Sequence, residues 1–445
     1  MATLAAVRHA VDDESLGADD RDDAGHLVAA QEIALVAMAL LGLGAAVVLA
    51  HIADTSEWKL PAAPFFGQWD LRVGWRVMFP TGLGVAVVIW GPRLAARLSW
   101  PWLLMTTSAA SVAWAVALAI VDGGGALAAP LTNDHDYLAV VPQIHSAGTF
   151  LDTFVDRLPA FPTHVQGHPP GMPLLFWAGD RVGLAGPGWA AGIVLGGWAL
   201  VAPAMLVMVD DLAGRQPARR VAPFLVVLPA AVWAATSADA LFAGVVATAT
   251  ALVVLASGRR GAAAALLAIG GGVLGGGALL LTYGAAPLAL VAAAVAAVRR
   301  RVDVVLLAGA GACAVLGAAA GAGFWWPDGL VATRVQYERG VADLRPATYF
   351  LWANLVVFAV ACGPAAVAGL AHVRGRMGLM VGAGLGALLV ADLSLLSKGE
   401  VERIWLLFVP FVAVAAVALH RHIRAWLAAT AVTGLAMQVM LRSPW

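Results

Sequence analysis

The sequence predicts an all-α protein that crosses a membrane many times, and three observations support this fold class. Of the 445 residues, 61% are hydrophobic and only 12% are charged, whereas soluble domains carry roughly a quarter charged residues. The mean hydropathy is +0.84. Apolar runs recur along the chain at about the twenty residues that a helix needs to cross the hydrocarbon core. Together these properties indicate a polytopic membrane protein.

About thirteen apolar segments are predicted to form transmembrane helices. Several are rich in glycine and alanine, as in GGGVLGGGALLL at 270–281, a composition that lets helix backbones approach closely. The predicted spans are 33–52, 77–92, 101–121, 188–209, 221–236, 241–257, 262–282, 284–298, 303–323, 351–370, 378–396, 404–420 and 425–441.

Short loops that contain arginine predict the orientation of these helices. Six such loops, at residues 93–97, 215–220, 259–260, 299–301, 374–376 and 421–424, alternate with less basic ones. The positive-inside rule places all six in the cytoplasm. The loops predicted to lie outside the plasma membrane are then 53–76, 122–187, 324–350 and 397–403.

The chain is predicted to form one domain behind an acidic tail. Residues 1–31 lack the basic start and apolar run of a signal peptide and are expected to be a disordered cytoplasmic tail, followed by a single transmembrane domain over 32–445. Lysine plus arginine equals aspartate plus glutamate at 27 each. Without a basic stripe, nucleic acid is not expected as a partner.

One apolar segment does not fit the simple alternation of spans and loops. Residues 171–183, GMPLLFWAGDRVG, are too few to cross the membrane. Counting them as a span would reverse the side of every later loop. We therefore expect a half-helix or re-entrant element on the external face.

The first long external loop contains the most ionisable residues. Asp134 and Asp136 flank His135 and precede Tyr137. Two carboxylates this close near a helix start can share a divalent cation such as Mg²⁺ or Mn²⁺, or one can act as a general base. Alternatively, Asp134 merely caps the helix that follows.

Two histidines follow in the same loop. His164 and His168 are four residues apart, which on a continuous helix would suggest a metal pair. Pro162, Pro169 and Pro170 make a continuous helix unfavourable. The run His168-Pro169-Pro170 instead predicts a fixed turn, in which His168 is either structural or a substrate contact.

The second external loop carries three arginines. Arg334, Arg339 and Arg345 recur within residues 324–350. Basic residues are disfavoured on the external side, so their presence there needs an explanation. Guanidinium groups bind phosphate through two parallel hydrogen bonds, which makes these arginines candidate ligands of a phosphate.

The third external loop is short and densely charged. Lys398, Glu400, Glu402 and Arg403 lie within a few residues of one another, and Asp392 lies just inside the preceding span. A carboxylate within the apolar zone is usually paired, and Lys398 or Arg403 is its expected partner. The alternative is a surface cluster of ion pairs that contributes little energy.

An acidic motif in a long external loop, followed by His-Pro-Pro at the start of a short hydrophobic helix, resembles the GT-C superfamily of membrane glycosyltransferases. This superfamily includes protein O-mannosyltransferases and lipid A aminoarabinose transferases, and the run SKGEVERIW at 397–405 looks like a segment of actinobacterial members. The resemblance implies a GT-C-like fold. It also implies inverting transfer of a sugar from a polyprenyl-phosphate donor to an external cell-envelope glycan, lipid or protein.

The resemblance also implies roles for single residues. The base that deprotonates the acceptor falls on Asp134 or Asp136, and His168 matches the histidine of the His-Pro-Pro turn. In this chain the acidic loop follows the third predicted span instead of the first, and Asp-His-Asp stands where the family has an adjacent Asp-Glu pair. The residues expected to contact donor or acceptor are Tyr137, His168, Arg334, Arg339, Arg345, Asp392, Lys398, Glu400 and Arg403.

Other classes of membrane protein remain as alternatives. A transporter or flippase of lipid-linked sugars is expected to show two related halves and ionisable residues near the middle of the membrane. The sequence shows no such halves, and its charges cluster towards one face. A glycan ligase or polymerase of another fold would depend on arginine and histidine instead of Asp134 and Asp136.

Overall fold

The computed structural model describes residues 18–53, 55–235 and 237–443. Within these ranges the chain is predominantly helical. Two short strands, β1 (Gln68–Trp69) and β2 (Leu441–Arg442), form an antiparallel pair in which Gln68 lies opposite Arg442. The all-α class predicted from the sequence is confirmed.

The described residues contain nineteen α-helices and several 3₁₀ helices. The α-helices are α1 (Ala18–Ile52), α2 (Met78–Arg97), α3 (Trp100–Ala119), α4 (Ala147–Arg157), α5 (Thr163–Gln166), α6 (Gly171–Arg181), α7 (Pro187–Ala213), α8 (Arg215–Val226), α9 (Asp239–Ser257), α10 (Gly261–Leu281), α11 (Ala289–Val298), α12 (Val302–Gly321), α13 (Trp326–Arg339), α14 (Ala347–Cys362), α15 (Pro364–Gly369), α16 (Gly375–Leu393), α17 (Val401–Ile404), α18 (Val409–Ala413) and α19 (Ile423–Met440). The 3₁₀ helices are Trp75–Val77, Ile120–Asp122, Pro130–Thr132, Tyr137–Gln143, Leu158–Ala160, Pro229–Trp233, Tyr283–Leu288, Val341–Leu344 and Val414–Ala418.

Nine helices in the described part of the chain are long and apolar enough to cross a membrane. The protein is therefore a multi-pass membrane protein. Each of the nine coincides with a predicted span. They are Leu27–Ile52, Trp75–Arg97, Trp100–Asp122, Pro187–Ala213, Asp239–Ser257, Gly261–Leu281, Val302–Gly321, Gly375–Leu393 and Ile423–Met440.

The other four predicted spans form shorter or interrupted helices. Residues 284–298 and 351–370 contain apolar helices of intermediate length, Tyr283–Val298 and Ala347–Cys362. Residues 221–236 divide between the end of α8 and a buried 3₁₀ helix that begins at Pro229. Proline there cannot donate the backbone hydrogen bond that would continue the helix.

The segment 404–420 is the most interrupted of the predicted spans and also the most buried. It contains α18 and the 3₁₀ helix Val414–Ala418, and every residue from 405 to 419 is buried. Irregular backbone is tolerated at membrane depth only where surrounding protein covers it. This apolar segment therefore lies at the centre of the helical domain, and not at its lipid-facing surface.

The predicted disordered tail is partly helical. Residues 1–17 lie outside the described residues, and α1 begins at Ala18, within the segment 1–31 that was predicted to be disordered. The helix continues without a break into the apolar run that crosses the membrane. Adding residues to an existing helix costs much less than starting a new one, which explains the extension into polar sequence.

The loops of the molecule lie at two opposite ends of the helices. At one end Arg220 donates to His420 at 2.6 Å, and Arg299 pairs with Asp211 at 2.7 Å. We call this the arginine end, because all six basic loops belong to it by the order of the helices. The opposite end, which we call the site end, holds β1, β2 and the loops 53–76, 122–187, 324–350 and 397–403.

Helices α7 and α9 pack backbone against backbone. A Cβ atom added to Gly244 on α9 would overlap the carbonyl oxygen of Gly197 on α7, and one added to Gly197 would overlap Leu241. Only glycine permits this approach, as expected for membrane helices that pack through small residues. The packing holds the start of α9, which begins at Asp239, at the site end.

We expect Gly244→Ala to destabilise the protein by about 1–3 kcal/mol, because the added methyl group forces the two helices apart. The matched control is Gly196→Ala on α7, where an added Cβ meets nothing within 4 Å and alanine favours the helix. Thermal unfolding in detergent measures both variants. Equal stability of the two would contradict the close packing of α7 and α9.

Candidate functional site

Asp136 is a buried carboxylate with two partners at the site end. It precedes the 3₁₀ helix Tyr137–Gln143, and its Oδ1 accepts the Tyr137 backbone N–H at 2.6 Å. Its Oδ2 lies 3.0 Å from Nδ1 of His164. Only 4% of Asp136 is exposed. The cap of this helix is therefore Asp136, and not Asp134 as the structural alternative proposed.

His168 is held in one tautomer by the turn that contains it. His164 lies in the one-turn helix α5 and His168 lies just beyond its end, where Nδ1 of His168 donates to the carbonyl oxygen of His164 at 2.8 Å. Because a carbonyl can only accept, Nδ1 carries the hydrogen and Nε2 carries the lone pair. Burial lowers the pKa of His168 to about 4, so the ring is neutral at pH 7.

The His-Pro-Pro turn opens a short helix, as the sequence predicts. Helix α6 begins at Gly171, whose Cα lies so close to the carbonyl of Leu280 that a side chain would not fit. The helix has 11 residues, or about 16 Å. That is about half of the hydrocarbon thickness of about 30 Å, so α6 does not span the membrane by itself.

A buried ion pair lies close to these residues. Nη1 of Arg403 donates to Oδ2 of Asp239 at 2.9 Å, with 4% and 1% of the two residues exposed. Ser237 donates a further hydrogen bond to the same carboxylate oxygen. The sequence analysis included Arg403 but missed Asp239. A lone carboxylate between two apolar runs was the feature that could have identified it.

Further charged side chains connect this ion pair to the loop 324–350. Nη2 of Arg403 lies 4.0 Å from Oε2 of Glu400, and both Nη atoms of Arg345 lie 3.1 Å from Oε1 of Glu400. Arg345 also donates to the backbone carbonyls of Lys398 at 2.8 Å and Trp58 at 3.1 Å. One network of ion pairs and hydrogen bonds therefore connects three loops of the site end with the start of α9.

Tyr137 lies between the histidines and this network. Its ring centroid is 6.0 Å from that of His164 and 5.7 Å from that of His168. Burial raises the pKa of Tyr137 well above its usual value, and the charges of Asp239 and Asp136 raise it further. The phenol is therefore protonated at neutral pH. We call Asp136, Tyr137, His164, His168, Asp239 and Arg403 the buried cluster.

In the buried cluster, Oη of Tyr137 and Oδ1 of Asp239 have no hydrogen-bond partner within the described ranges. Leaving a buried polar atom unsatisfied costs about 1–3 kcal/mol. A polar group that reached the cluster would relieve this cost. The arrangement is therefore suited to binding a polar ligand.

Glu402 is a second buried carboxylate, which the sequence places in the charged loop 397–403 but which was not among the predicted site residues. It is completely buried, and its Oε1 accepts the Phe66 backbone N–H at 2.7 Å. Burial raises the pKa of Glu402 to about 7. It therefore ties the loop 53–76 to the loop 397–403 and changes its charge near neutral pH.

Several predicted site residues lie outside the buried cluster. Asp134 is exposed two residues from Asp136. Arg334 pairs with Glu338 at 2.8 Å on the exposed surface of α13, which also carries the exposed Arg339. Arg334 and Arg339 therefore do not lie close to Arg345. They lie on the outer surface of α13, whereas Arg345 comes after the end of that helix and is buried.

The predicted partner of Asp392 was wrong. Its Oδ1 accepts from Nδ2 of Asn354 at 3.0 Å, whereas Nζ of Lys398 donates to the carbonyl of Ala342 at 3.0 Å and Arg403 pairs with Asp239. Asn354 is a neutral partner of the buried carboxylate of Asp392. It also forms hydrogen bonds to the backbone of the loop 397–403. Asp392 therefore helps to hold the loop 397–403 in place through its hydrogen bond to Asn354.

The two carboxylates proposed to share a metal ion do not converge, because Asp136 is engaged with His164 while Asp134 is exposed. In residues 18–53, 55–235 and 237–443, no three histidine, cysteine, aspartate or glutamate side chains are grouped so as to hold a metal ion.

Comparisons of the chain with protein-family models, curated proteins and solved structures find no match. The function is therefore inferred from the chemistry of the site end.

An apolar groove begins beside the His-Pro-Pro turn. It has a volume of about 480 Å³ and lies between α6, α10 and α12. Its walls include Leu151, Pro170, Leu174, Leu280 and Val315. Such a groove suits a hydrocarbon chain and offers nothing to a polar ligand.

We expect the stability of the protein to fall as pH rises from about 4.5 to about 7, because of Glu402. Its pKa is raised from 4.5 to about 7 on folding, so in this range the folded state holds a proton that the unfolded chain has released. The contribution is up to about 3 kcal/mol and does not change further above pH 7.

Glu402→Gln should remove this part of the decline, whereas Glu338→Gln on the exposed surface should not. Unfolding midpoints at pH 5 and pH 8 measure the effect. A decline of the same size in Glu402→Gln and wild type would contradict the raised pKa.

We expect Arg403→Met to destabilise the protein by about 3–5 kcal/mol, because it leaves the carboxylate of Asp239 buried without its cation. The double variant Asp239→Leu/Arg403→Met removes both charges and should be more stable than the single variant. Arg334→Met breaks an exposed pair and serves as the control, with little effect expected. A double variant less stable than Arg403→Met would show that the pair is not the source of the loss.

Proposed function

We propose that this protein is a membrane glycosyltransferase that moves a sugar from a polyprenyl-phosphate donor to an acceptor hydroxyl at the site end. The observation that carries the proposal is the convergence of the three charged loops and the His-Pro-Pro turn. A buried base, a cation-bearing loop and an apolar groove lie at the same end of a membrane domain. These are the parts that such a reaction requires.

The reaction breaks the bond between the anomeric carbon and the phosphate oxygen and forms a bond to the acceptor oxygen. Attack opposite the leaving phosphate inverts the anomeric centre. The acceptor proton passes to the carboxylate of Asp136, which lies 3.0 Å from Nδ1 of His164. We assign the base to Asp136 instead of Asp134, because Asp136 belongs to the buried cluster.

The donor phosphate requires a cation that faces the charge developing in the transition state. Lys398 suits this role, since its ammonium group contacts a carbonyl oxygen, which leaves its charge uncancelled. Arg345 and Arg403 already pair with Glu400 and Asp239, so we assign them the positioning of the loop. The polyprenyl tail would lie in the apolar groove beside α6.

The proposed location follows the positive-inside rule. With the arginine end in the cytoplasm, the site end faces the outside of the plasma membrane. The acceptor is then a glycan, lipid or protein of the cell envelope, and the resemblance to the GT-C superfamily agrees with this placement.

The test is incorporation of radiolabelled sugar from polyprenyl-phosphate donors by purified protein in vesicles that contain envelope acceptors. Asp136→Asn should lower transfer at least about 100-fold, the usual contribution of a general base. Asp156→Asn is the matched control, because Asp156 is an exposed carboxylate on α4 of the same loop. Full transfer by Asp136→Asn would contradict the assigned base.

One observation favours the alternative of a transporter or flippase of lipid-linked sugars. Glu32 and His372 form a buried pair at 3.4 Å towards the arginine end, so buried ionisable groups occur towards both ends of the helices. Movement of a labelled polyprenyl-phosphate sugar across vesicles, with no transfer to any acceptor, would support this function over the enzyme.

A further inference from the structure

A basic cavity lies at the arginine end, far from the buried cluster. It has a volume of about 440 Å³ and is enclosed by the end of α2 and the beginnings of α8 and α19. The residues that define it are Pro92, Ala96, Arg219, Arg220, His422 and Arg424.

Among residues 18–53, 55–235 and 237–443, no carboxylate lines this cavity, so its arginines keep their positive charge. Arg219 donates to the backbone carbonyl of Ala95, and Arg220 donates to Nδ1 of His420. Both acceptors hold a guanidinium group in place without cancelling its charge. Arg424 is exposed. Burial also lowers the pKa of Arg220.

An apolar stripe leads away from the cavity along α2. Val85, Ile89, Pro92 and Ala96 are spaced by four, three and four residues, so they lie on one face of the helix. Pro92 and Ala96 line the cavity, while Val85 and Ile89 are 50% and 40% exposed. A hydrocarbon chain can therefore lie along α2 with its polar end in the cavity.

We propose that this cavity binds the phosphate headgroup of an anionic membrane phospholipid, whose acyl chain lies along the Val85–Ile89 face of α2. Arginine recognises phosphate oxygens through its paired donors, and basic pockets between membrane helices bind anionic headgroups. The stripe favours a lipid over free phosphate, because an inorganic ion gains nothing from an apolar surface beside its site.

The experiment measures binding of phosphatidylglycerol to detergent-purified full-length protein by native mass spectrometry, with phosphatidylcholine as the reference lipid. The double variant Arg220→Gln/Arg424→Gln should weaken phosphatidylglycerol binding about tenfold or more, since each arginine contributes about 1 kcal/mol. The matched control is Arg260→Gln/Arg376→Gln, which removes two exposed arginines from the same end but outside the cavity. It should bind as wild type does.

Arg424→Gln alone is the second variant, because this exposed side chain can be changed with little risk to folding. It should give part of the same loss. Equal loss in the control variant would overturn the proposal, since binding would then depend only on total charge. Displacement of phosphatidylglycerol by millimolar inorganic phosphate would also overturn it in favour of a free anion.

Discussion

The structure of the site end depends on the buried ion pair between Arg403 and Asp239. Taking two charges out of water costs several kcal/mol for each ion, so such a pair persists only when its geometry is good and neighbouring groups add hydrogen bonds. Here Ser237 donates a hydrogen bond to Asp239, and the carboxylate of Glu400 lies 4.0 Å from Nη2 of Arg403. The pair joins the loop 397–403 to the start of α9, which close packing against α7 holds in position.

This burial also determines the protonation states around the pair. The same lack of solvent keeps His168 neutral and raises the pKa of Tyr137 and Glu402. Electrostatic interactions are stronger in such an environment than in water. A glycosyl transfer that releases a charged phosphate would use this property, because a cation at the edge of the cluster would act on the leaving group with little screening.

The helical membrane domain was predictable because hydrocarbon thickness sets the length of a spanning helix. The interruptions were not predictable from hydropathy. Residues 404–420 are as apolar as a lipid-facing helix, yet they form short helices at the centre of the domain. Apolar surface is buried equally well by protein and by lipid, so hydropathy does not distinguish the two environments. The division of 221–236 has a different cause, because Pro229 cannot donate the backbone hydrogen bond that would continue the helix.

The sequence alone determined which ionisable residue types and which loops are candidates for the site. Ionisable side chains are rare in a chain this apolar, and they are costly to bury. The sequence identified Asp136, His168 and Arg403, which the structure brings together. Only the tertiary structure decided their partners. Asp239 and Arg403 are 164 residues apart, and no local pattern specifies which carboxylate a buried cation will meet. Pairing over that distance is decided by helix packing.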